Sequence, residues 1–227
     1  MTRRQSRCLA VAFVCGCVLA AGCESKRRAG AAARGAASGR ATRTSSQSFK
    51  DGDLVFQEST SRQSDTVRAL TRSRWTHMGV VFNEAGGAMV LEAVSPVRRT
   101  PVAQWIARGK KREYVVKRLR DADSRLTPEI VAKMRALGKT WLGRPYDLQF
   151  RWDDDSLYCS ELAHKLYAHA AGVQLGTIER ASDMNLDDER VQRALQKRFA
   201  RGGFDPAEPV VTPDSIFNDD ELVEVPE

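Results

Sequence analysis

The chain has 227 residues, of which 42% are hydrophobic and 29% are charged. This composition is typical of one globular domain with additional chain, and it excludes a fibre, a disordered protein and a polytopic membrane protein. The net charge of +7 is unevenly distributed, because residues 1–49 contain nine basic residues and one acidic residue. The remaining 178 residues contain 27 basic and 28 acidic residues, which argues against a nucleic-acid partner.

The N-terminal 22 residues have the pattern of a bacterial export signal. Arg3, Arg4 and Arg7 precede an apolar run over residues 8–21. A run of this length matches the apolar region of a signal peptide and is too short to span a bilayer comfortably. We therefore predict that residues 1–22 are a signal peptide.

The end of the apolar run, residues 19–23 (LAAGC), resembles the lipobox of bacterial lipoproteins. In that motif small residues precede a cysteine that is lipidated and becomes the new N-terminus. The match has one departure, because the family usually has Leu three positions before the cysteine and this chain has Ala20 there. We predict lipidation at Cys23, which would anchor the protein on the periplasmic side of the outer membrane. An ordinary secretory signal cut near Ala21, with a secreted or periplasmic product, is the alternative.

Residues 23–48 are predicted to be a disordered basic tether behind the lipidated N-terminus. They consist mainly of Ala, Gly, Ser, Arg and Thr and contain no aromatic residue. Such a segment cannot bury enough apolar surface to offset the entropy lost on ordering. The folded domain is accordingly expected over residues 49–227.

From residue 49 onward short strands alternate with helices, which predicts an α+β domain. Two Thr-Pro pairs, at residues 100–101 and 127–128, match an N-cap followed by proline at the first helical position. Gly138 is a candidate helix stop. The predicted strands cover residues 53–57, 75–82, 88–94 and 114–119, and the predicted helices cover residues 64–72, 101–108, 128–138, 158–171 and 187–200.

Cys159 is the only cysteine of this domain, so the domain cannot contain an internal disulfide. It lies at the start of the helix predicted over residues 158–171, where unpaired backbone N–H groups and the helix dipole favour the thiolate. Cys159 is therefore the candidate nucleophile, and a small buried apolar residue is the alternative. Its helical face is shared with Leu162, Ala163, Leu166 and Ala170, which points the sulfur toward the core.

The domain has three histidines, His77, His164 and His169. The last two follow Cys159 on the same helix by five and ten residues, so their rings point away from the thiol or lie too far along the axis. His77, on a predicted strand, is the candidate general base. A satisfied, partly buried strand histidine is the alternative.

An imidazole base needs a third group that fixes its tautomer and orientation. Glu92 is the candidate, because it is a carboxylate within the apolar run of residues 89–93. If the two strands form a hairpin with an even loop, His77 and Glu92 lie on the same face, whereas a three-residue loop would separate them. The alternative is a strand-edge carboxylate that faces water.

Four motifs together resemble one known family: residues 52–55 (GDLV), 75–79 (WTHMG), 143–147 (GRPYD) and 158–162 (YCSEL). They are similar to the YiiX/YebB-like, NlpC-type cysteine hydrolases, papain-like enzymes of circularly permuted topology in which the histidine precedes the cysteine. The resemblance implies an α+β fold with an antiparallel sheet or half-barrel packed against the cysteine-bearing helix.

The same resemblance implies site residues. A papain-like triad maps to Cys159, His77 and Glu92. The resemblance also suggests that Tyr146, Tyr158 and residues 213–215 (PDS) border the site, with the two tyrosines as candidate substrate contacts.

The expected function is that of an exported cysteine hydrolase, which cleaves an amide of cell-envelope material such as peptidoglycan stem peptides through a thioester. Two alternatives remain open: a lipid acyltransferase or lipase with the same triad, and a non-catalytic envelope-binding lipoprotein. The expected partners are thus a cell-wall peptide or lipid and the membrane. No cofactor is expected, and the three histidines lack the spacing of metal ligands.

Overall fold

The computed structural model describes residues 48–61, 63–200 and 203–226. The predicted signal peptide, Cys23 and the tether up to residue 47 lie outside the described residues. Within the described ranges, no helix is long and apolar enough to cross a membrane. The strands are β1 (Leu54–Gln57), β2 (His77–Glu84), β3 (Gly87–Glu92), β4 (Arg98–Pro101), β5 (Val115–Leu119), β6 (Ile178–Arg180), β7 (Pro209–Val211) and β8 (Leu222–Glu224). The helices are α1 (Ser64–Thr71), α2 (Val102–Ala107), α3 (Ala122–Arg125), α4 (Pro128–Trp141), α5 (Cys159–Ala171), α6 (Glu189–Arg198) and α7 (Pro213–Phe217).

An antiparallel sheet with the strand order β4-β3-β2-β1-β5-β8 forms the centre of the described domain. Strands β6 and β7 form a separate two-stranded ribbon. All of β1 and the first six residues of β2 are buried. These strands are rich in Val and aromatic residues, the side chains that pack well on a pleated surface.

Helices cover both faces of the sheet. On one face, Phe56 and Met78 belong to the main core together with Leu162 and Leu166 of α5. On the other face, Val55, Val81 and Val90 pack with Trp105 of α2. The start of β2 therefore lies between the cysteine-bearing helix and α2, and this arrangement positions the site described below.

Most predicted elements are present, with ends that agree to within about two residues. The prediction for the Thr-Pro pair at residues 100–101 is wrong. We predicted that Thr100 caps a helix; instead Thr100 and Pro101 belong to β4, where Thr100 pairs with Val90. Helix α2 begins at Val102 without a side-chain cap. Two interactions of Thr100 outweigh the local capping signal. Its strand pairs with β3, and its side chain donates a hydrogen bond to the buried carboxylate of Glu92. The second pair is as predicted, because the Thr127 side chain accepts a hydrogen bond from the Ile130 N–H.

Gly138 does not end α4, contrary to the prediction, and the helix continues to Trp141. A Cβ atom on Gly138 would lie 2.6 Å from Leu91 Cδ2. The glycine therefore permits close approach of α4 to the sheet, which is a packing role that a local stop signal does not distinguish from a C-cap.

Gly79 permits a similar close approach within the sheet. A Cβ atom there would lie 2.4 Å from Val90 Cγ1 and 2.8 Å from the Leu91 carbonyl oxygen. Since one of these neighbours is backbone, the Gly79→Ala substitution should force a shift of the β2–β3 pair. We expect it to lower the free energy of unfolding by about 1–3 kcal/mol, measured by urea denaturation.

The matched control is Gly86→Ala in the turn between β2 and β3, because a Cβ atom on Gly86 meets nothing within 4 Å. That change should stay within about 0.5 kcal/mol of the wild type. Equal stability of the two variants would contradict the packing role of Gly79.

Candidate active site

The β2–β3 hairpin has the register that brings His77 and Glu92 together. Glu84 pairs with Gly87, so the loop has two residues, and the prediction of an even loop is confirmed. The His77 and Glu92 side chains lie on the same sheet face, one diagonal step apart. His77 Nε2 is 2.7 Å from Glu92 Oε2.

Glu92 is a fully buried carboxylate with a complete set of donors. Its Oε1 accepts hydrogen bonds from Thr100 Oγ1 at 2.5 Å and from Arg108 Nη2 at 2.6 Å, and Arg98 Nε lies 3.7 Å away. Burial alone would raise the pKa of Glu92. The hydrogen bond and charge of His77, with Thr100 and Arg108, outweigh burial and hold the pKa at about 2. Glu92 is thus a carboxylate at every physiological pH.

His77 connects this carboxylate to Cys159. Cys159 is 4% exposed, and its side chain lies within interaction distance of the His77 ring. Since Nε2 faces Glu92, Nδ1 is the ring nitrogen left for the sulfur. The Trp105 ring stacks on the imidazole with 5.9 Å between ring centroids. Burial disfavours a charged imidazole, but the hydrogen bonds and charges of Cys159 and Glu92 outweigh it and raise the pKa of His77 to about 9.

Cys159 is the first residue of α5, as predicted. Because it occupies the first helical position, its backbone N–H has no intrahelical acceptor. Glu161 caps the helix, since its Oε2 accepts a hydrogen bond from the Tyr158 N–H at 3.2 Å. Burial raises the pKa of Glu161 to about 8 against the opposing effect of Lys165, whose Nζ lies 2.8 Å from Oε1. The next residue, Ser160, donates to the Val211 carbonyl and fastens the helix start to β7.

A cleft of about 630 Å³ opens beside His77. Its wall includes the end of β1, the loop that leads to α1 and the end of α2. Tyr146 and the exposed Leu148 form another part of the wall. The polar uncharged side chains of the lining are Gln57, Ser59, Thr60, Ser61, Gln63, Ser64, Thr76 and Ser95.

Of the residues expected to border the site, only Tyr146 is among the described residues that line this cleft. Tyr146 lines it, whereas Tyr158 is buried with its hydroxyl oxygen accepting a hydrogen bond from the Val211 N–H. Residues 213–215 begin α7, and Asp214 and Ser215 line a separate depression. Residues 213–215 thus do not line this cleft, and their position at the border of the site stays a prediction.

Sequence reasoning missed three residues of the site, Thr100, Arg108 and Trp105. The sequence did contain one signal for Thr100. Arg98 and Thr100 are two residues apart in a short segment after Glu92, and in a strand two such residues lie on the same face of the sheet. Thr100 was misread as a cap. Arg108 and Trp105 reach the site only because α2 folds back over the sheet, and periodicity gives no such information.

Together, an antiparallel sheet, a cysteine at a helix start and a buried histidine–carboxylate pair define the papain-like class of cysteine hydrolases, and the histidine precedes the cysteine in the chain. Residues 48–225 match the family described as permuted papain-like amidase enzyme, YaeF/YiiX, C92 family. The chain belongs to this family and is therefore a hydrolase of the cysteine peptidase or amidase type.

Relatives from Escherichia coli agree with this assignment. YiiX of strain K12 is 36% identical over 174 residues, which cover 77% of this chain and 84% of that protein. A crystal structure of yiiX from Escherichia coli O157:H7 superposes with a TM-score of 0.73 at 36% identity, and the match covers 78% of this chain and 97% of that chain.

That crystal structure is described as a metalloprotein. Among the residues described here, no group of three or more His, Cys, Asp or Glu side chains is placed to hold a metal ion. The Glu92 carboxylate is already committed to His77, Thr100 and Arg108. This donor set does not fit a metal ion.

The raised pKa of His77 predicts an imidazolium at neutral pH. By NMR, the His77 ring should titrate at about 9, well above its ordinary value of 6.5. Because the pKa is raised in the folded state, the resulting stabilisation is complete below about pH 6.5 and is lost as the pH rises through about 9.

Glu92→Gln is the control for this titration, since it keeps the shape of the side chain and removes its charge. We expect the His77 pKa to fall in this variant. A wild-type value near 6.5, or no response to Glu92→Gln, would contradict the electrostatic description of the pair.

Proposed function

We propose that the protein is an exported cysteine amidase that cleaves amide bonds of cell-envelope peptides, such as peptidoglycan stem peptides. In this proposal Cys159 is the nucleophile, His77 the general base and Glu92 the residue that orients His77. The observation that carries the proposal is that the His77 ring interacts both with the Cys159 side chain and, at 2.7 Å, with the Glu92 carboxylate.

The chemistry follows from the positions of these groups. In the resting site His77 already holds the thiol proton as an imidazolium, and the sulfur of the resulting Cys159 thiolate forms a bond to the carbonyl carbon of the amide. The Cys159 backbone N–H, which has no acceptor in the helix, contributes to binding the oxyanion. The imidazolium then gives its proton to the leaving amine, and a thioester remains. His77 deprotonates water for attack on the thioester, which releases the acid and restores the thiol.

The lining of the cleft offers hydrogen-bonding groups to a peptide. Hydroxyl and amide side chains contribute about half of the described lining residues, and such groups bind peptide N–H and C=O groups. A lipid acyltransferase or lipase with the same triad remains the alternative enzyme, and a non-catalytic envelope-binding lipoprotein is the alternative without chemistry.

A paired assay tests the enzyme proposal. Peptidoglycan fragments and, separately, acyl esters are incubated with the wild type, Cys159→Ala and His77→Ala. We expect cleavage of the peptide amides by the wild type, none by Cys159→Ala, and a loss of about 10²- to 10⁴-fold in kcat/KM for His77→Ala. Cleavage that persists in Cys159→Ala would reject the site, and turnover of esters alone would favour the lipid enzyme.

Alkylation of the thiol supplies a measurement that does not depend on the substrate. Cys159 should react with iodoacetamide faster than a free thiol near neutral pH, and His77→Ala should abolish the difference. His169→Ala is the matched control, because this exposed imidazole is on the same helix and should leave the rate unchanged. A rate that is ordinary in the wild type and indifferent to His77 would favour the non-catalytic alternative.

We further propose that the protein is a lipoprotein of the bacterial cell envelope, lipidated at Cys23. The support is the sequence pattern of residues 1–23. In a bacterial host, the full-length chain should incorporate labelled fatty acid and sediment with the outer membrane. Cys23→Ser should lose both properties, whereas Cys17→Ser, within the apolar run, should retain them. An unlabelled wild type in the periplasmic fraction would instead support the ordinary secretory signal.

A further inference from the structure

The described wall of the cleft carries very little fixed charge. Its described lining residues include no Asp, Glu or Lys, and Arg108 is the one arginine among them. His77 is the only other basic side chain of this lining, and its ring is used by Glu92 and Cys159. At neutral pH a ligand in this cleft therefore meets the cations of Arg108 and His77 against an otherwise uncharged, hydrogen-bonding background.

Arg108 is held firmly at the edge of the site. It follows the last residue of α2, and its carbonyl accepts a hydrogen bond from Thr60 Oγ1 at 3.1 Å. Its guanidinium donates to Glu92 Oε1 through Nη2. The side chain is nevertheless 39% exposed, so the same guanidinium faces both the buried carboxylate and the cleft.

Most donors of this guanidinium are not used by the protein. An arginine offers five N–H donors in a planar fork, and the bond to Glu92 is the one side-chain hydrogen bond that Arg108 makes within the described ranges. Its Nε has no hydrogen-bond partner there either, but this atom is buried, so only the remaining Nη donors are open to a ligand. A guanidinium in this state matches the planar, two-oxygen geometry of a second carboxylate.

The charges around Glu92 also leave a positive excess. Arg108 and Arg98 both approach its Oε1, at 2.6 and 3.7 Å. One carboxylate cannot neutralise two guanidinium groups, so the end of the cleft next to the predicted triad attracts anions. We propose that Arg108 binds a carboxylate of the substrate, which makes the preferred substrate an acidic peptide amide with a free carboxylate near the scissile bond. This inference rests on the proposed function of the same cleft.

Arg108 also touches Glu92, so a general loss of activity in a variant would not distinguish recognition from positioning. The informative quantity is the ratio of the affinities for the carboxylate and the carboxamide forms of one ligand. Recognition predicts that the variant loses the preference for a carboxylate over a carboxamide, whereas positioning of Glu92 alone predicts an equal loss for both ligands. Arg98 is the matched control, since it approaches the same Glu92 oxygen and is not among the cleft residues.

The probe is the tripeptide Ala-γ-Glu-Lys, with both carboxylates free, with each one amidated in turn, and with both amidated. Its binding to full-length Cys159→Ala protein is measured by calorimetry in low salt, in backgrounds that carry Arg108→Gln, Arg108→Lys or Arg98→Gln. Circular dichroism and thermal unfolding confirm that each variant is folded, and Arg108→Lys serves if Arg108→Gln does not fold.

We expect the free acid to bind about 10- to 100-fold more tightly than the diamide, as for a charge-assisted pair. Arg108→Gln should reduce this ratio to near one, Arg108→Lys should retain part of it because lysine keeps the charge without the fork, and Arg98→Gln should retain most of it. Added salt should weaken the preference, because the cleft is open to solvent. Equal binding of acid and diamide, or a ratio unchanged by Arg108→Gln, would overturn the proposal.

The binding measurement separates this inference from the proposed function. A carboxylate preference that depends on Arg108, together with no Cys159-dependent cleavage of any amide, would retain Arg108 as the recognition residue and reject the amidase proposal. Amide cleavage that depends on Cys159, together with no carboxylate preference, would retain the amidase proposal and reject Arg108 as the recognition residue.

Discussion

The buried carboxylate of Glu92 is the constraint on which the site depends. An unpaired charge in a protein interior is very costly, so a buried carboxylate must be surrounded by donors. His77, Thr100 and Arg108 supply them from β2, β4 and the end of α2. These elements must all be in place before the charge is satisfied, and the assembly of this part of the sheet therefore also assembles the site.

This arrangement explains the state of the imidazole. Glu92 stays ionised because its partners hold the pKa low, and an ionised carboxylate in turn favours a protonated His77 ring. Trp105 covers one face of that ring from the opposite side of the sheet to α5. The ring is thus fixed by a hydrogen bond at Nε2 and by stacking on its face, and Nδ1 is the nitrogen left to interact with Cys159.

The same carboxylate connects the interior to the cleft. Arg108 donates to Glu92 and also lines the open space beside His77. A guanidinium shared in this way would couple the binding of an acidic substrate to the orientation of the histidine. Recognition and activation would then depend on one side chain, and the sparse charge of the surrounding wall would increase the effect of that side chain on selectivity.

The sequence by itself determined which residues were available for the chemistry and which local elements carry them. The domain has one cysteine, and two of its three histidines follow Cys159 on the same helix and cannot reach it, which left Cys159 and His77. Glu92 was placed on the face of His77 only for a hairpin loop with an even number of residues, and the structure supplied that loop. The tertiary structure alone decided the partners of Glu92 and the contents of the cleft. The local sequence around Thr100 predicts a helix cap, but in the structure Thr100 pairs with β3 instead. Arg108 reaches Glu92 only because α2 returns across the sheet. Such contacts depend on strand register and chain reversal over many residues, and local periodicity does not encode either.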